Sequence, residues 1–315
     1  MAGTQSGHVG QNPDNFRNAV VQALFAFWSA IRCVKIGGML ERRKFLLAAG
    51  AGTALISFSE LDPVLAQQAK PNQRAVKPEL ASVKALVFDT FGTVVDWRSS
   101  VIAEGMIWGK PKGLNINWAD FADRWRMGYG PAMDKVRKGE LPWTVLDDLH
   151  LMILEELLKE FKIDLTEEEK VSWSHVWRRL KPWPDSVDGL TRLKKKYVIA
   201  PLSNGNIALM TNLAKFGGLP WDAILGSELV RHYKRDREVY VSAYQYLDLK
   251  PEEVMMCAAH AGDLQAARSY GLRTGFIYRP NEFGGGAAGV PDKAKTGDFD
   301  VVSASIIDLA NKMGA

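Results

Sequence analysis

The sequence is poor in cysteine, in long apolar runs and in charge of one sign, and each shortage excludes something. Its 315 residues include two cysteines, Cys33 and Cys257. They lie far apart in unlike surroundings, so neither a disulfide framework nor a Cys-x-x-Cys metal site can be assembled from them. The apolar run after Arg43 is shorter than the roughly 20 residues a comfortable transmembrane helix needs. Net charge is only +4. Lys and Arg are spread along the chain except for short clusters such as Lys194, Lys195 and Lys196, so no nucleic-acid footprint stands out. No internal repeat is evident. What remains is an ordinary globular composition, 47% hydrophobic and 24% charged, long enough for one large domain or two modest ones.

The N-terminal quarter reads as something other than fold. Residues 41–58, ERRKFLLAAGAGTALISF, place two arginines before a short stretch of apolar and small residues, and DPVLAQQ follows. That order looks like a twin-arginine export signal spanning 39–66, cleaved after Ala66. It makes the twin-arginine machinery an expected partner. The expected location is the periplasm, or the cytoplasm if the signal does not function. Export signals open a chain, so Met39 is a candidate initiator and residues 1–38 a candidate upstream extension. Within them AVVQALFAFWSAI, 19–31, also fits a short amphipathic or membrane-touching helix. Residues 67–81, with Pro, Lys and Gln, read as a linker.

From Ser82 onward, short segments rich in Val, Ile and Leu alternate with helical patterns. The segments are KALVFD (84–89), YVIAPLS (197–203), AILGS (223–227), VMMCAA (254–259), TGFIY (274–278) and FDVV (299–302). This alternation predicts an α/β fold with a mostly parallel sheet covered on both faces. Residues 98–182 break the rhythm: no convincing strand is present, and 118–139, 143–161 and 166–180 read as helices, the last opening on a Thr166 cap. A helical subdomain inserted after the first strand is the simplest account. The core is then 82–97 together with 183–309. In open parallel sheets ligands gather beyond the carboxyl ends of the strands. Asp89, Ser203, Asn204, Lys234 and the segment from His260 to Asp263 all fall in such loops.

With those elements in order, residues 82–307 resemble the haloacid dehalogenase superfamily, and within it the type II L-2-haloacid dehalogenases. FDTFGT (88–93) is similar to the first motif of that family, LSNGN (202–206) to the second, Lys234 in HYKRDREVY to the third, and AAHAGD (258–263) to the fourth. The resemblance implies a Rossmann-like core with a helical cap. It also implies hydrolysis of short L-2-haloacids, with water, to 2-hydroxy acids through an ester on Asp89, and leaves room for a homodimer. Asp89 would attack, Lys234 would keep it ionised, and Asp263 would position or activate water. Ser203 and Asn204, just before a helix starting near Ile207, would offer backbone N–H groups to the substrate carboxylate. Arg126 would receive the halide, with Arg124 as the alternative register. Thr93 and Tyr240 would hold Asp89 and Lys234 respectively, and His260 would shape its loop.

Two positions bear on the chemistry. Phosphatases of the superfamily usually carry a second Asp two residues after the first, as acid for the leaving alcohol; here Phe91 stands there, beside the halide site. A phenyl ring cannot donate a proton, and halide needs none. The position four residues after Asp263 is Ala267 instead of another acid, so no obligatory metal or other cofactor is expected. Departures from better-known relatives are Arg235 after Lys234, Gly262 before Asp263, and Ala and His in the fourth motif. Competing readings are a phosphatase or phosphonatase of the same superfamily and an exported binding protein without turnover. Each residue also has a plainer role: Asp263 as a helix cap, Lys234 in a solvated charge run, Arg126 on an exposed helix face, and the tryptophans at 108, 118, 125, 143, 173 and 177 as cap core.

Overall fold

A computed structural model of the chain describes residues 78–315. The expected upstream extension, the export signal and the linker up to residue 77 lie outside the described residues.

After a 3-10 turn at Pro78–Leu80, strand β1 runs over Ala85–Phe88. All four of its residues are buried because both faces of the sheet are covered. Alternation decides where each side chain goes. Leu86 and Phe88 enter one apolar cluster and Ala85 and Val87 the other, on opposite faces of the sheet. Strand β2 (Val95–Asp96) follows, then the helical insertion: α1 (Trp97–Gly109), α2 (Trp118–Arg137), α3 (Leu146–Glu160) and α4 (Glu167–Ser174). Strand β3 (Lys181–Pro182) closes the insertion by pairing antiparallel with β2, Val95 opposite Pro182 and Asp96 opposite Lys181. This two-residue strand falls in a stretch where the sequence pattern predicts none. It is too short to carry a pattern, and it forms because both ends of the insertion must leave the core side by side.

The chain returns through α5 (Ser186–Lys194), β4 (Val198–Ser203), α6 (Ile207–Gly217), β5 (Leu225–Gly226), α7 (Ser227–Val230) and α8 (Arg237–Tyr246). It ends with β6 (Val254–Ala258), α9 (Ala261–Ser269), β7 (Arg273–Ile277), β8 (Val301–Ser303) and α10 (Ile306–Lys312). The six long-range strands form one parallel sheet in the order β5-β4-β1-β6-β7-β8. β1 is central, flanked by β4 and β6, with Phe88 opposite both Pro201 and Cys257. The chain leaves β1 toward one edge and later returns to build the other, so a crevice opens at the carboxyl end of β1. Asp89 is the first residue past that end.

The cap is held by aromatic packing. Trp97 and Trp177 stack at 6.3 Å, Trp125 meets Trp173 and Trp177 edge-on at 5.6 Å, and Phe121 lies 4.8 Å from Trp173. Such pairs contribute about 0.5–1.5 kcal/mol each beyond the area they bury. Trp118, Trp125, Trp173 and Trp177 are therefore cap core, not cavity wall. Helix α4 begins with a reciprocal capping box: Thr166 Oγ1 accepts from Glu169 N–H and the Glu169 carboxylate accepts from Thr166 N–H. It stops at Ser174, and a 3-10 turn over His175–Arg178 replaces the rest of the helix predicted to residue 180. The tighter turn lets Val176 and Trp177 be buried together beneath the cap. Among the described residues no helix is long and apolar enough to cross a membrane.

Candidate active site

Loops from the carboxyl ends of β1, β4, β5 and β6 meet α2 of the cap around a cavity of about 580 Å³. Asp89, Phe91, Arg126, Asn204, Lys234, His260 and Asp263 line it. Asp89 is anchored through its backbone, its N–H donating to Cys257 C=O at 2.9 Å and so extending the β1–β6 ladder by one residue. Its side chain is bound on both oxygens. Lys234 Nζ donates to Oδ1 at 2.8 Å; Thr93 Oγ1 donates to Oδ2 at 2.6 Å, and His260 Nδ1 lies 3.0 Å from the same oxygen. Burial would raise the Asp89 carboxyl, but the Lys234 charge and the His260 hydrogen bond outweigh it and hold the group well below the usual carboxylate range.

Lys234 also donates to Asp263 Oδ2 at 2.7 Å. Burial alone would lower its ammonium; the charges of Asp263 and Asp89 raise it above the ordinary lysine range. One ammonium thus stands between the two carboxylates. Among the described residues no group of three or more His, Cys, Asp or Glu side chains is arranged to hold a metal. Ala267, four residues after Asp263, is fully buried in the core. The carboxylates that line the cavity from beyond β1 and β6 are Asp89 and Asp263, and Lys234 pairs with both.

Other expected residues fall in different places. Tyr240 is buried, but its hydroxyl donates to Asp263 Oδ1 at 2.5 Å; it steadies Asp263 directly and Lys234 only through that carboxylate. Ser203 is fully buried behind the cavity wall, its hydroxyl accepting from Gly205 N–H at 3.1 Å. The Ile207 N–H is taken by Glu228 Oε2 at 2.6 Å. The start of α6 is therefore not the open amide cradle the motif suggests. Asn204 does reach the cavity, with its amide engaged: Oδ1 accepts from Lys234 N–H and Ser227 Oγ, both at 2.7 Å, and Nδ2 donates to Tyr129 Oη at 2.8 Å. It ties the Lys234 loop to the cap.

Arg126 points inward from α2. Its guanidinium lies 4.5 Å over the Tyr129 ring and 5.8 Å from that of Trp97, and among the described residues it forms no salt bridge. Arg124, the alternative register, is paired with Asp120 and Glu160 on the outer face. Phe91 packs edge-on against Trp177 at 5.9 Å and His150 at 6.3 Å. His150 is buried; burial first, then the Arg126 charge, hold its imidazole well below the usual histidine range, so it is neutral. His260 does more than shape a loop, since it touches Asp89 directly. Its other nitrogen, Nε2, lies 2.9 Å from Oε1 of Glu282, a buried carboxylate. Sequence reasoning missed Tyr129, His150 and Glu282. None of the three left a local signal; Glu282 is one of three acids, with Asp292 and Asp298, in the loop after a predicted strand.

A buried, ionised carboxylate past the central strand of a parallel sheet, with a lysine bridge and a helical cap, defines a capped α/β hydrolase scaffold. Residues 83–271 match the haloacid dehalogenase-like hydrolases. A crystal structure of an L-2-haloacid dehalogenase, PA0810, is 45% identical, covering 73% of this chain and 98% of its own, with a TM-score of 0.70. That of a defluorinating L-2-haloacid dehalogenase is 43% identical, covering 76% and 99%, with a TM-score of 0.72. The (S)-2-haloacid dehalogenase 4A of Burkholderia cepacia is 26% identical over 202 residues, 63% of this chain and 84% of that protein. The chain belongs to the haloacid dehalogenase-like hydrolases, in their type II group.

Proposed function

We propose that this protein hydrolyses the carbon–halogen bond of short L-2-haloacids, releasing halide and a 2-hydroxy acid through an ester on Asp89. The observation that carries the proposal is the pairing of an ionised Asp89 with an apolar Phe91 two residues on. The carboxylate is a nucleophile held rigidly by Lys234 and Thr93. No acid stands at position 91 to protonate a leaving alkoxide, and halide departs without one. Oδ1 accepts one hydrogen bond and Oδ2 two, so Oδ1 keeps a lone pair for in-line attack on C2. Arg126, without an acid of its own, receives the departing halide. Asp263, steadied by Tyr240 and Lys234, takes a proton from the water that opens the ester. The dehalogenase names of the relatives support the same substrate class.

The test is chloride release from L-2-chloropropionate with and without EDTA, beside phosphate release from p-nitrophenyl phosphate with magnesium. Metal-independent chloride release with none from Asp89→Asn is the expected result; magnesium-dependent phosphate release alone, or tight binding without product, would overturn it. We further propose export through the signal at 39–66. N-terminal sequencing of periplasmic protein tests that, a chain starting at Gln67 being the expected outcome.

A further inference from the structure

Two departures visible in the sequence, Arg235 after Lys234 and Gly262 before Asp263, take no part in the chemistry above. They meet in space. A Cβ added at Gly262 would lie 3.0 Å from Arg235 Nη1 and 3.8 Å from its Cζ; its chain neighbours and its own helix aside, nothing else comes within 4 Å. Gly262 stands in the first turn of α9 and is not among the glycines with positive φ, so the backbone there does not call for glycine. What the missing side chain leaves is room for a guanidinium.

Both residues line the cavity that holds Asp89. Arg235 is an exposed residue, which puts its guanidinium at the cavity mouth. Three further charged residues line the same cavity, and they are tied to one another: Arg137 Nη1 donates to Asp134 Oδ1 at 2.9 Å, and Arg137 Nε lies 3.4 Å from Asp236 Oδ1. Arg235 is left without an acid, since among the described residues it forms no hydrogen bond or salt bridge. Deeper in, the Lys234 charge is shared between Asp89 and Asp263. The mouth therefore carries one uncompensated cation. The cavity also has space to spare. Pockets of about 300–1,000 Å³ take drug-sized ligands, and at about 580 Å³ this one is far larger than a three-carbon acid requires.

We infer that Arg235 recognises a second carboxylate at the end of the substrate away from C2, so that the preferred substrates are four-carbon L-2-halodicarboxylates such as L-2-chlorosuccinate. The inference rests on the dehalogenase function proposed above and narrows its substrate class. The halogen-bearing carbon stays beside Asp89 with the halide directed at Arg126, and the far carboxylate extends to the mouth. There the guanidinium presents a planar fork of donors that matches a carboxylate, and both groups are charged at neutral pH. A methyl group at the same place leaves the guanidinium to water. Arg235 touches no reacting atom, and its contact is the same before and during displacement. Such a contact lowers KM and leaves kcat as it was. Gly262 acts only by keeping the seat of the guanidinium empty.

The experiment measures chloride release by the full chain from L-2-chlorosuccinate and from L-2-chlorobutyrate, which has the same four carbons and a methyl group in place of the second carboxylate. The proteins are wild type, Arg235→Gln, Arg235→Lys, Gly262→Ala and the double variant of Arg235→Gln with Gly262→Ala. In wild type kcat/KM should favour chlorosuccinate by about 10- to 100-fold, the size expected of hydrogen bonds to a charged group. Arg235→Gln should abolish that preference by raising KM for chlorosuccinate, with its kcat within about threefold of wild type; turnover of chlorobutyrate in the same preparation reports a folded site. Arg235→Lys, which keeps the charge and loses the fork, should retain part of the preference. Gly262→Ala should lower the preference about threefold by itself and no further in the double variant. A wild type that does not prefer chlorosuccinate, a preference that survives Arg235→Gln, or a loss in kcat with KM unchanged would overturn the assignment. A wild type that releases chloride neither from these acids nor from L-2-chloropropionate would instead sink the dehalogenase function beneath it.

Discussion

Lys234 Nζ donates to Asp89 Oδ1 at 2.8 Å with both side chains at most one-tenth exposed, and it reaches Asp263 Oδ2 at 2.7 Å on its other side. The ammonium is the shared counter-charge of two buried acids. Lys234→Met leaves both without it, and removing one partner of a buried ion pair costs about 3–5 kcal/mol. The Asp89 carboxyl also rises, because the Lys234 charge is the largest influence lowering it. The expected result is a lower denaturant midpoint and an acid limb of kcat displaced to higher pH. An unmoved acid limb would show that Lys234 does not hold Asp89 ionised.

The pH profile of the wild type follows from the same groups. Asp89 is held below the ordinary carboxylate range, so its contribution to stability is present above its unfolded value and is lost only as pH falls through the lower, folded one. His260 is raised, to about 10. Its contribution is complete below the unfolded value of 6.5 and is lost as pH rises through 10. Denaturant midpoints should therefore fall between neutral pH and pH 10 in the wild type, with kcat falling as the imidazolium titrates. Both slopes should flatten in His260→Asn. Equal alkaline slopes in the two proteins would remove His260 as their source.

Gly92 combines a left-handed backbone, φ +85°, with the buried Glu282 carboxylate where a Cβ would be. Gly113 is also left-handed, φ +66°, but nothing lies within 4 Å of its added Cβ. Gly113→Ala should show the backbone penalty alone, about 1–3 kcal/mol. Gly92→Ala must also displace Glu282, so calorimetry should find a larger loss of Tm, with slower turnover. Equal losses would mean that the Glu282 position is readily surrendered.

Phe91→Asp introduces the acid that phosphatases carry at this place. Phe91 is 5% exposed and packs on Trp177 and His150. Its removal costs about 3–5 kcal/mol, as for other buried aromatic truncations, before any charge is buried. Magnesium-dependent phosphatase activity should not appear, because the position four residues after Asp263 is still Ala267, buried in the core, instead of another acid. Its appearance in a p-nitrophenyl phosphate assay would make residue 91 alone, without residue 267, what separates the two chemistries.

Two neighbouring arginines make a matched pair. Arg126→Gln removes the inward cation and should lower kcat/KM by about tenfold or more with a modest change in stability. Arg124→Gln removes an exposed partner of Asp120 and Glu160, and exposed pairs contribute about 0–1 kcal/mol. It should leave turnover unchanged. Similar kinetic effects from both would place the halide elsewhere.

The alternation of strands and helices, the central strand ending on Asp89, and the order of the loops bearing Lys234 and Asp263 were legible in the chain as written. They rest on short-range physics: a short continuous run of Ala, Leu, Val and Phe ending on an acid, a Thr cap three residues before a Glu, a glycine where φ turns positive. Such signals lie within a few residues of one another. Contacts that assemble after collapse leave no such trace. Nothing near Tyr240 says that its hydroxyl will meet Asp263, 23 residues away, instead of Lys234. Ser203 looks like a site residue until the sheet buries it. Glu282 meets His260 only because Arg279, reaching back to Asp185 and Thr93, lays its segment across the Asp89 loop. Local sequence set the carboxylate of Asp89 and the scaffold that presents it. Which groups share its two oxygens was decided by distant segments competing for the same small volume, where each buried charge had to find its opposite.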